Sequence, residues 1–273
     1  MKTWLITGCS SGIGKGIAKV ALKKGYQVVV TARNTEKLKD LYEAYPKTCL
    51  PVSLEMTDKQ SIQNVVKVTN EKFGPIDVLI NNAGHGYRAA VEEGEEADIE
   101  ELYDTNVFGP VTLIKEVLPQ MRQQQSGTIV NVSSIAAVRS ALGSGYYASS
   151  KAALELITDA LIKEVKPLGI RAMIVEPGSF RTKFYDEALK GTAIKVDDYV
   201  KAGVKRREET VNARQQPGDP DKAGEVIVKV IEQDELPHTL LLGSDAVKIV
   251  SQELERKLKE IQDYQSISEQ TDF

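Results

Sequence analysis

The chain has 273 residues, 41% of them apolar and 27% charged, and a formal net charge of -4. That balance excludes a disordered or collagen-like chain and gives one domain enough apolar surface for an α/β core without metal or disulfide staples. Two cysteines (Cys9, Cys49) and two histidines (His85, His238) are too few and too scattered for a disulfide framework or a metal set, so a reducing, cytoplasmic setting and no metal are expected. No stripe of Arg and Lys interleaves with aromatics, which argues against nucleic acid as a partner. The apolar run at the N-terminus is too short for a signal peptide, and no stretch reaches the length of a membrane span.

In chain order, short β-rich runs alternate with longer helical patterns. Leu5–Ile6, Tyr26–Thr31, Cys49–Leu54, Ile76–Ile80, Thr128–Val132, Ile170–Val175 and Thr239–Leu242 predict seven strands, nearly continuous in apolar character. Helices are predicted over about 12–24, 35–45, 59–73, 98–123, 147–166, 219–234 and 245–262, with Asn34 and Asp58 as caps. Gly109-Pro110 bends or restarts the fourth helix, and Pro51, which cannot donate to a ladder, places the third strand at a sheet edge. The alternation predicts a Rossmann-like, doubly wound α/β parallel sheet in one domain, 1–264, followed by a polar, frayed tail at 265–273. An insertion over about 179–215 breaks the rhythm: Phe184, Tyr185, Leu189, Val196, Tyr199, Val200 and Val204 lie among charges. Short helices over a ligand site and a tied-down surface excursion fit these residues about equally.

The first strand leads into Thr7-Gly8-Cys9-Ser10-Ser11-Gly12-Ile13-Gly14 and then a helix. Gly8 can turn sharply, Gly12 lets a diphosphate approach, Gly14 lets the helix pack near the strand, and the helix start offers N–H groups to phosphate. The string alone is a weak signal, and its place between strand and helix sets it apart from an ordinary glycine turn. At the end of the second strand, Val30-Thr31-Ala32-Arg33-Asn34 has no carboxylate for the ribose hydroxyl of NAD, whereas Arg33, helped by Ser10 and Ser11, suits the 2'-phosphate of NADP(H). An arginine after a strand is often merely a solvated charge, but here the missing carboxylate is the stronger clue and favours NADP(H).

Tyr147 and Lys151 are four apart at the start of a helix, one turn from each other on one face. A cation there should lower the phenol's pKa and make proton exchange with an alcohol or ketone feasible, although an isolated pair at this spacing is more often surface decoration. Ser133-Ser134 follows the fifth strand, at the carboxyl edge where ligands bind in open sheets; a hydroxyl there can hold a carbonyl oxygen, and spacing does not choose between the two serines.

With Asn81-Asn82-Ala83-Gly84, Asn106 and Pro177-Gly178 added in order, the chain resembles the short-chain dehydrogenase/reductase family along nearly its whole length. The resemblance implies the sheet order 3-2-1-4-5-6-7 and hydride transfer between a nicotinamide and a carbonyl or secondary alcohol. It implies Ser134 as the serine orienting the carbonyl, Tyr147 as proton donor or acceptor, and Lys151 as its tuning cation and ribose ligand. Asn106 would hold a water linking Lys151 to solvent. Gly8, Ser10, Ser11, Gly12, Ile13, Gly14, Asn82, Ala83, Gly84, Pro177, Gly178 and Thr182 would line the cofactor. Leu54-Glu55-Met56 departs from the family, which carries an aspartate beside the adenine; Glu55 and Met56 take that place here. The Ala32-Arg33 pair resembles members using NADP(H).

Around the substrate, His85 either hydrogen-bonds it or packs in its loop, while Phe180, Phe184, Tyr185 and Tyr199 suit an apolar or ring-bearing ketone. Glu176 to Thr182 and Leu242 to Ala246 resemble a branch containing steroid and retinol dehydrogenase-like enzymes. Trp4 reads as core, and His238 has no chemical role. The family pairs subunits through helices equivalent to 98–123 and 147–166, implying a homodimer or homotetramer. The alternatives are a non-catalytic NADP(H)-binding regulatory or scaffold protein, and a sugar-nucleotide epimerase or dehydratase, which the glycine spacing and the length disfavour.

Overall fold

The computed structural model describes residues 1–193, 195–203 and 215–273. Val204 and most of the charged end of the insertion lie outside the described residues. The main sheet is built from β1 (Thr3–Ile6), β2 (Gln27–Ala32), β3 (Cys49–Ser53), β4 (Val78–Asn81), β6 (Gly127–Val132), β7 (Ile170–Pro177) and β9 (Thr239–Leu242). These seven strands run parallel in the order β3-β2-β1-β4-β6-β7-β9. Pro51 sits on the edge strand β3, where a missing N–H costs no ladder bond on the open side.

Alternation along each strand divides the core in two. Trp4, Ile6, Val28, Val30, Val78, Ile80 and Val130 pack under α1 (Gly12–Lys23) and α7 (Pro220–Ile231), whereas Leu5, Val29, Leu79 and Ile129 pack under α3 (Lys59–Phe73), α5 (Gly109–Gln124) and α6 (Gly145–Val165). This explains why the strands read as unbroken apolar runs rather than alternating ones. The crossing of α1 and α7 is so close that a Cβ on Gly16 would meet the Pro220 carbonyl, and one on Gly224 the Gly16 backbone.

Asn34 and Asp58 cap as expected: Asn34 accepts from the Glu36 N–H at 3.0 Å and Asp58 from the Gln60 N–H at 2.8 Å. The Asn34 cap opens a 3-10 turn, Thr35–Leu38, and only then does α2 (Lys39–Ala44) begin. The expected helix over 98–123 is two helices, α4 (Glu96–Tyr103) and α5, joined by a π-helical turn at Asp104–Phe108. The break therefore precedes Gly109-Pro110, where Pro110 sits in the first turn of α5 and tolerates its missing donor.

Two short strands escape the sequence pattern. β5 (Gly86–Arg88) and β8 (Leu189–Gly191) form a separate parallel pair, with Arg88 opposite Gly191. At three residues each, they are too short for a period-2 signal. The insertion also contains a π-helical turn at Phe184–Ala188 and a 3-10 turn at Asp197–Tyr199. The last helix, α8 (Ser244–Ser268), continues past Gln265, where a frayed tail was expected, and is followed by a 3-10 turn to Thr271. Intrahelical pairs such as Lys259 with Asp263 support it, and its far half is exposed. Among the described residues no helix is long and apolar enough to cross a membrane.

Candidate active site

A cleft of about 870 Å³ opens along the carboxyl edge of the sheet, where the strand order reverses between β1 and β4. One end is walled by Arg33, Asn34, Lys37, Leu54, Glu55 and Met56. The glycine-rich turn forms the middle. Gly8 and Gly12 adopt φ of 73° and 61°, and Gly14 has no room for a side chain, since a Cβ would collide with the Asn82 amide and the Gly8 carbonyl. Asn82 braces this turn by donating from Nδ2 to the Thr7 and Gly8 carbonyls at 2.9 and 3.1 Å, while Thr7 Oγ1 accepts from the Asn82 and Ala83 N–H groups at 2.9 Å each. Ser11, the N-cap of α1, makes no side-chain cap bond, so its hydroxyl does not block the helix start.

These features fit a dinucleotide. The uncapped helix start and the side-chain-free turn suit a diphosphate, and the cleft length suits adenosine at the Arg33 end and nicotinamide at the other. Pro177, Gly178 and Thr182 line the far side, and Thr182 lies close enough to Gly12 that a Cβ there would be 3.0 Å from its methyl. Asp245 holds this segment by accepting from the Ser179 N–H at 2.7 Å. At the β2 end no carboxylate follows Ala32, and Arg33 is exposed on the cleft wall.

Tyr147 and Lys151 are both buried on the inner face of α6, and both line the cleft. Ser134 lines the cleft with Tyr147, favours ionisation of its phenol, and accepts from the Ala136 N–H at 3.2 Å. Ser133 is turned back to the Lys151 carbonyl, so geometry separates the two serines that spacing could not. Asn106 sits in the π turn, where its side chain accepts from the His85 N–H at 3.1 Å and donates to the His85 carbonyl at 2.9 Å and to Ser150 at 3.1 Å.

The expected tuning of the phenol is not what the protein shows. Burial pushes Tyr147 up to about 12, against the opposing pull of the Ser134 hydrogen bond and the Arg88 charge. Burial also pushes Lys151 down to about 8, and its Nζ donates to the Val132 carbonyl at 3.0 Å rather than to the phenol. Sequence shows the pair of side chains but not their desolvation.

Phe180, Phe184 and Tyr185 line the cleft, and the Phe184 ring lies 5.7 Å from that of Tyr147. Tyr199 does not: it donates to Glu92 at 2.7 Å, since the 3-10 turn carries it off the lining. His85 lines the cleft with its Nδ1 near the Gly86 carbonyl, and burial holds its pKa below the ordinary histidine value. His238 pairs with Asp159 at 2.8 Å, outside the cleft. Trp4 is buried and stacks on Tyr26. Cys9 and Cys49 are free and buried. Among the described residues no cluster of metal-ligand side chains occurs.

Sequence reasoning missed Arg88, Ser150 and Thr7. Arg88 is buried and lines the cleft, but it belongs to β5, which left no periodic signal.

Residues 2–192 match the family described as short chain dehydrogenase. A short-chain dehydrogenase from Streptomyces avermitilis is 39% identical with a TM-score of 0.92, covering all of both chains. Oxidoreductase BOA17 of Botryotinia fuckeliana is 36% identical over 248 residues, 90% of each chain. A 3-ketodihydrosphingosine reductase of Bacteroides thetaiotaomicron is 33% identical over 240 residues, covering 88% of this chain and 87% of that one.

Proposed function

Because this chain belongs to the short-chain dehydrogenase family, whose members are NAD(P)(H)-dependent oxidoreductases of carbonyl and alcohol groups, we propose that it reduces an apolar or ring-bearing ketone, or oxidises the matching alcohol, with NADP(H) preferred. One observation carries the reading: Ser134, Tyr147 and Lys151 line one cleft together with the glycine-rich turn.

A bound nicotinamide would donate or accept the hydride. Tyr147 supplies or takes the substrate proton, and Ser134 positions the oxygen while negative charge develops on it. Lys151, held by Val132, presents its ammonium to the ribose side, and Asn106 anchors the His85 loop beside it. Gly8, Ser10, Ser11, Gly12, Ile13 and Gly14 would hold the diphosphate, together with Asn82, Ala83 and Gly84, and Glu55 and Met56 would border the adenine.

The NADP(H) preference rests on Arg33, with Lys37 beside it on the cleft wall, and on the missing carboxylate after Ala32. The substrate class rests on Phe180, Phe184 and Tyr185; the relative named as a 3-ketodihydrosphingosine reductase, and the resemblance to the steroid and retinol dehydrogenase-like branch, point the same way. Assembly into a homodimer or homotetramer rests on the resemblance and on apolar side chains uncovered along the pairing helices.

The test is a paired titration with NADPH and NADH, followed by a ketone and aldehyde panel read at the nicotinamide absorbance. The expected outcome is tighter NADPH binding and ketone-dependent oxidation. Tyr147→Phe should lose turnover while binding NADPH nearly as well; near-normal turnover in that variant would refute the role given to the phenol.

A further inference from the structure

A buried cation on the cleft that Tyr147 lines comes from an element outside the main sheet. Arg88 is buried at 8% exposure and lines the same cleft as Tyr147 and Ser134. Its strand packs against α6, the helix that carries Tyr147.

The backbone around Arg88 is clamped on every side. Ahead of it, Tyr87 is fully buried in a small cluster with Leu102 and Tyr147, and its hydroxyl accepts from the Glu95 N–H at 2.9 Å. Behind it, the Ala89 N–H donates to the Gly143 carbonyl at 3.0 Å. The Arg88 carbonyl itself accepts from the Thr192 N–H at 3.2 Å, and the strand is paired with β8. A guanidinium on so constrained a backbone keeps its place.

We propose that Arg88 is a positioning residue for the proton transfer: its buried guanidinium, on the cleft that Tyr147 also lines, stabilises charge on the phenol oxygen and sets the pH at which that tyrosine exchanges its proton. The inference rests on Tyr147 being the proton-exchanging group.

The other groups around the phenol do not substitute for it. Lys151 lies on the phenol's own helix, with its ammonium bonded to Val132. Burial holds the His85 pKa below the ordinary histidine value and so disfavours its charged form. Glu101 of α4 and Lys190 of β8 line the cleft as an ion pair, so their fields largely cancel, and Lys183 is paired with Glu187. Tyr185, from the turn after β7, opposes phenol ionisation, and Ser134 favours it. Arg88 is the cation that pulls the phenol down against its burial.

The experiment is the pH profile of alcohol oxidation at saturating NADP+, where phenolate is the working form and rate rises through its apparent pKa. Arg88→Gln removes the charge, so the rising limb should move about one unit higher and the rate below the limb should fall about tenfold. Arg88→Lys, which keeps the charge, should return the limb most of the way. A merely structural arginine would lower the rate equally at all pH values and leave the limb in place, and that result overturns the proposal. Arg88→Met, which preserves the apolar stem, gives the same reading if the glutamine variant fails to fold. Tyr147→Phe separates the two levels: an active Tyr147→Phe overturns the parent reading and this one together, whereas an inactive Tyr147→Phe with an unmoved limb in Arg88→Gln overturns only this one.

Discussion

Tyr147 and Lys151 are moved in opposite directions by the same burial, since desolvation favours the neutral form of each: the phenol rises to about 12 and the ammonium falls to about 8. A second buried group behind them is Glu176, 4% exposed at the end of β7, which burial and the nearby Glu155 push up to about 7. A folded pKa raised above the unfolded value means the native state holds a proton that the unfolded chain has released. The favourable contribution is therefore complete below about 4.5 and is lost as pH rises through about 7. Glu176→Gln should remove that loss and leave the protein more stable than wild type near pH 8, by about 1–3 kcal/mol, with the advantage shrinking toward pH 5. Urea unfolding at both pH values checks it; an equal difference at pH 5 and pH 8 would show that the carboxyl does not titrate in this window.

At the scale of elements, the helix and strand periods are legible wherever a segment is long enough to repeat. The seven strands, their helices and the Asn34 and Asp58 caps follow from residue pattern alone. The π turn at Asp104–Phe108 does not, because Asn106 looks in sequence like any polar residue on a helix; its displacement shows only in the bonds its side chain makes to His85. β5 and β8 are equally silent, since at three residues each they pair with one another and lean on neighbouring helices rather than repeating a pattern of their own. The α1–α7 crossing is a third such feature. Gly224→Ala would drive a methyl into the Gly16 backbone, and this overpacking should cost about 1–3 kcal/mol. The measurement is the denaturant midpoint; an unchanged midpoint would mean that the helices can separate freely.

Across the whole molecule, the proposed assembly leaves a mark on the surface. Phe108 is 57% and Leu156 73% exposed, on the π turn and on α6, with Ile157 beside Leu156. Apolar side chains so placed on the two segments that the resemblance assigns to subunit pairing should be covered by a second copy. Light scattering should give a multiple of the monomer mass, and Leu156→Lys should lower it while leaving the denaturant midpoint of the isolated subunit nearly unchanged. A wild-type monomer at all concentrations would remove this assembly.

The sequence determined the architecture and the inventory of the site. Continuous apolar runs require a sheet covered on both faces, Pro51 requires an edge, and a glycine turn between strand and helix requires a phosphate-like occupant or an unusually tight crossing. The tertiary structure decided what those groups become. It turned Ser133 back to the Lys151 carbonyl and left Ser134 on the cleft, raised the phenol and lowered the lysine, left Tyr199 off the lining, and brought Arg88 from an unpredicted strand to the cleft that Tyr147 lines. The physical reason is that burial and the fields of distant residues depend on distances between segments remote in the chain, and no local pattern encodes those distances.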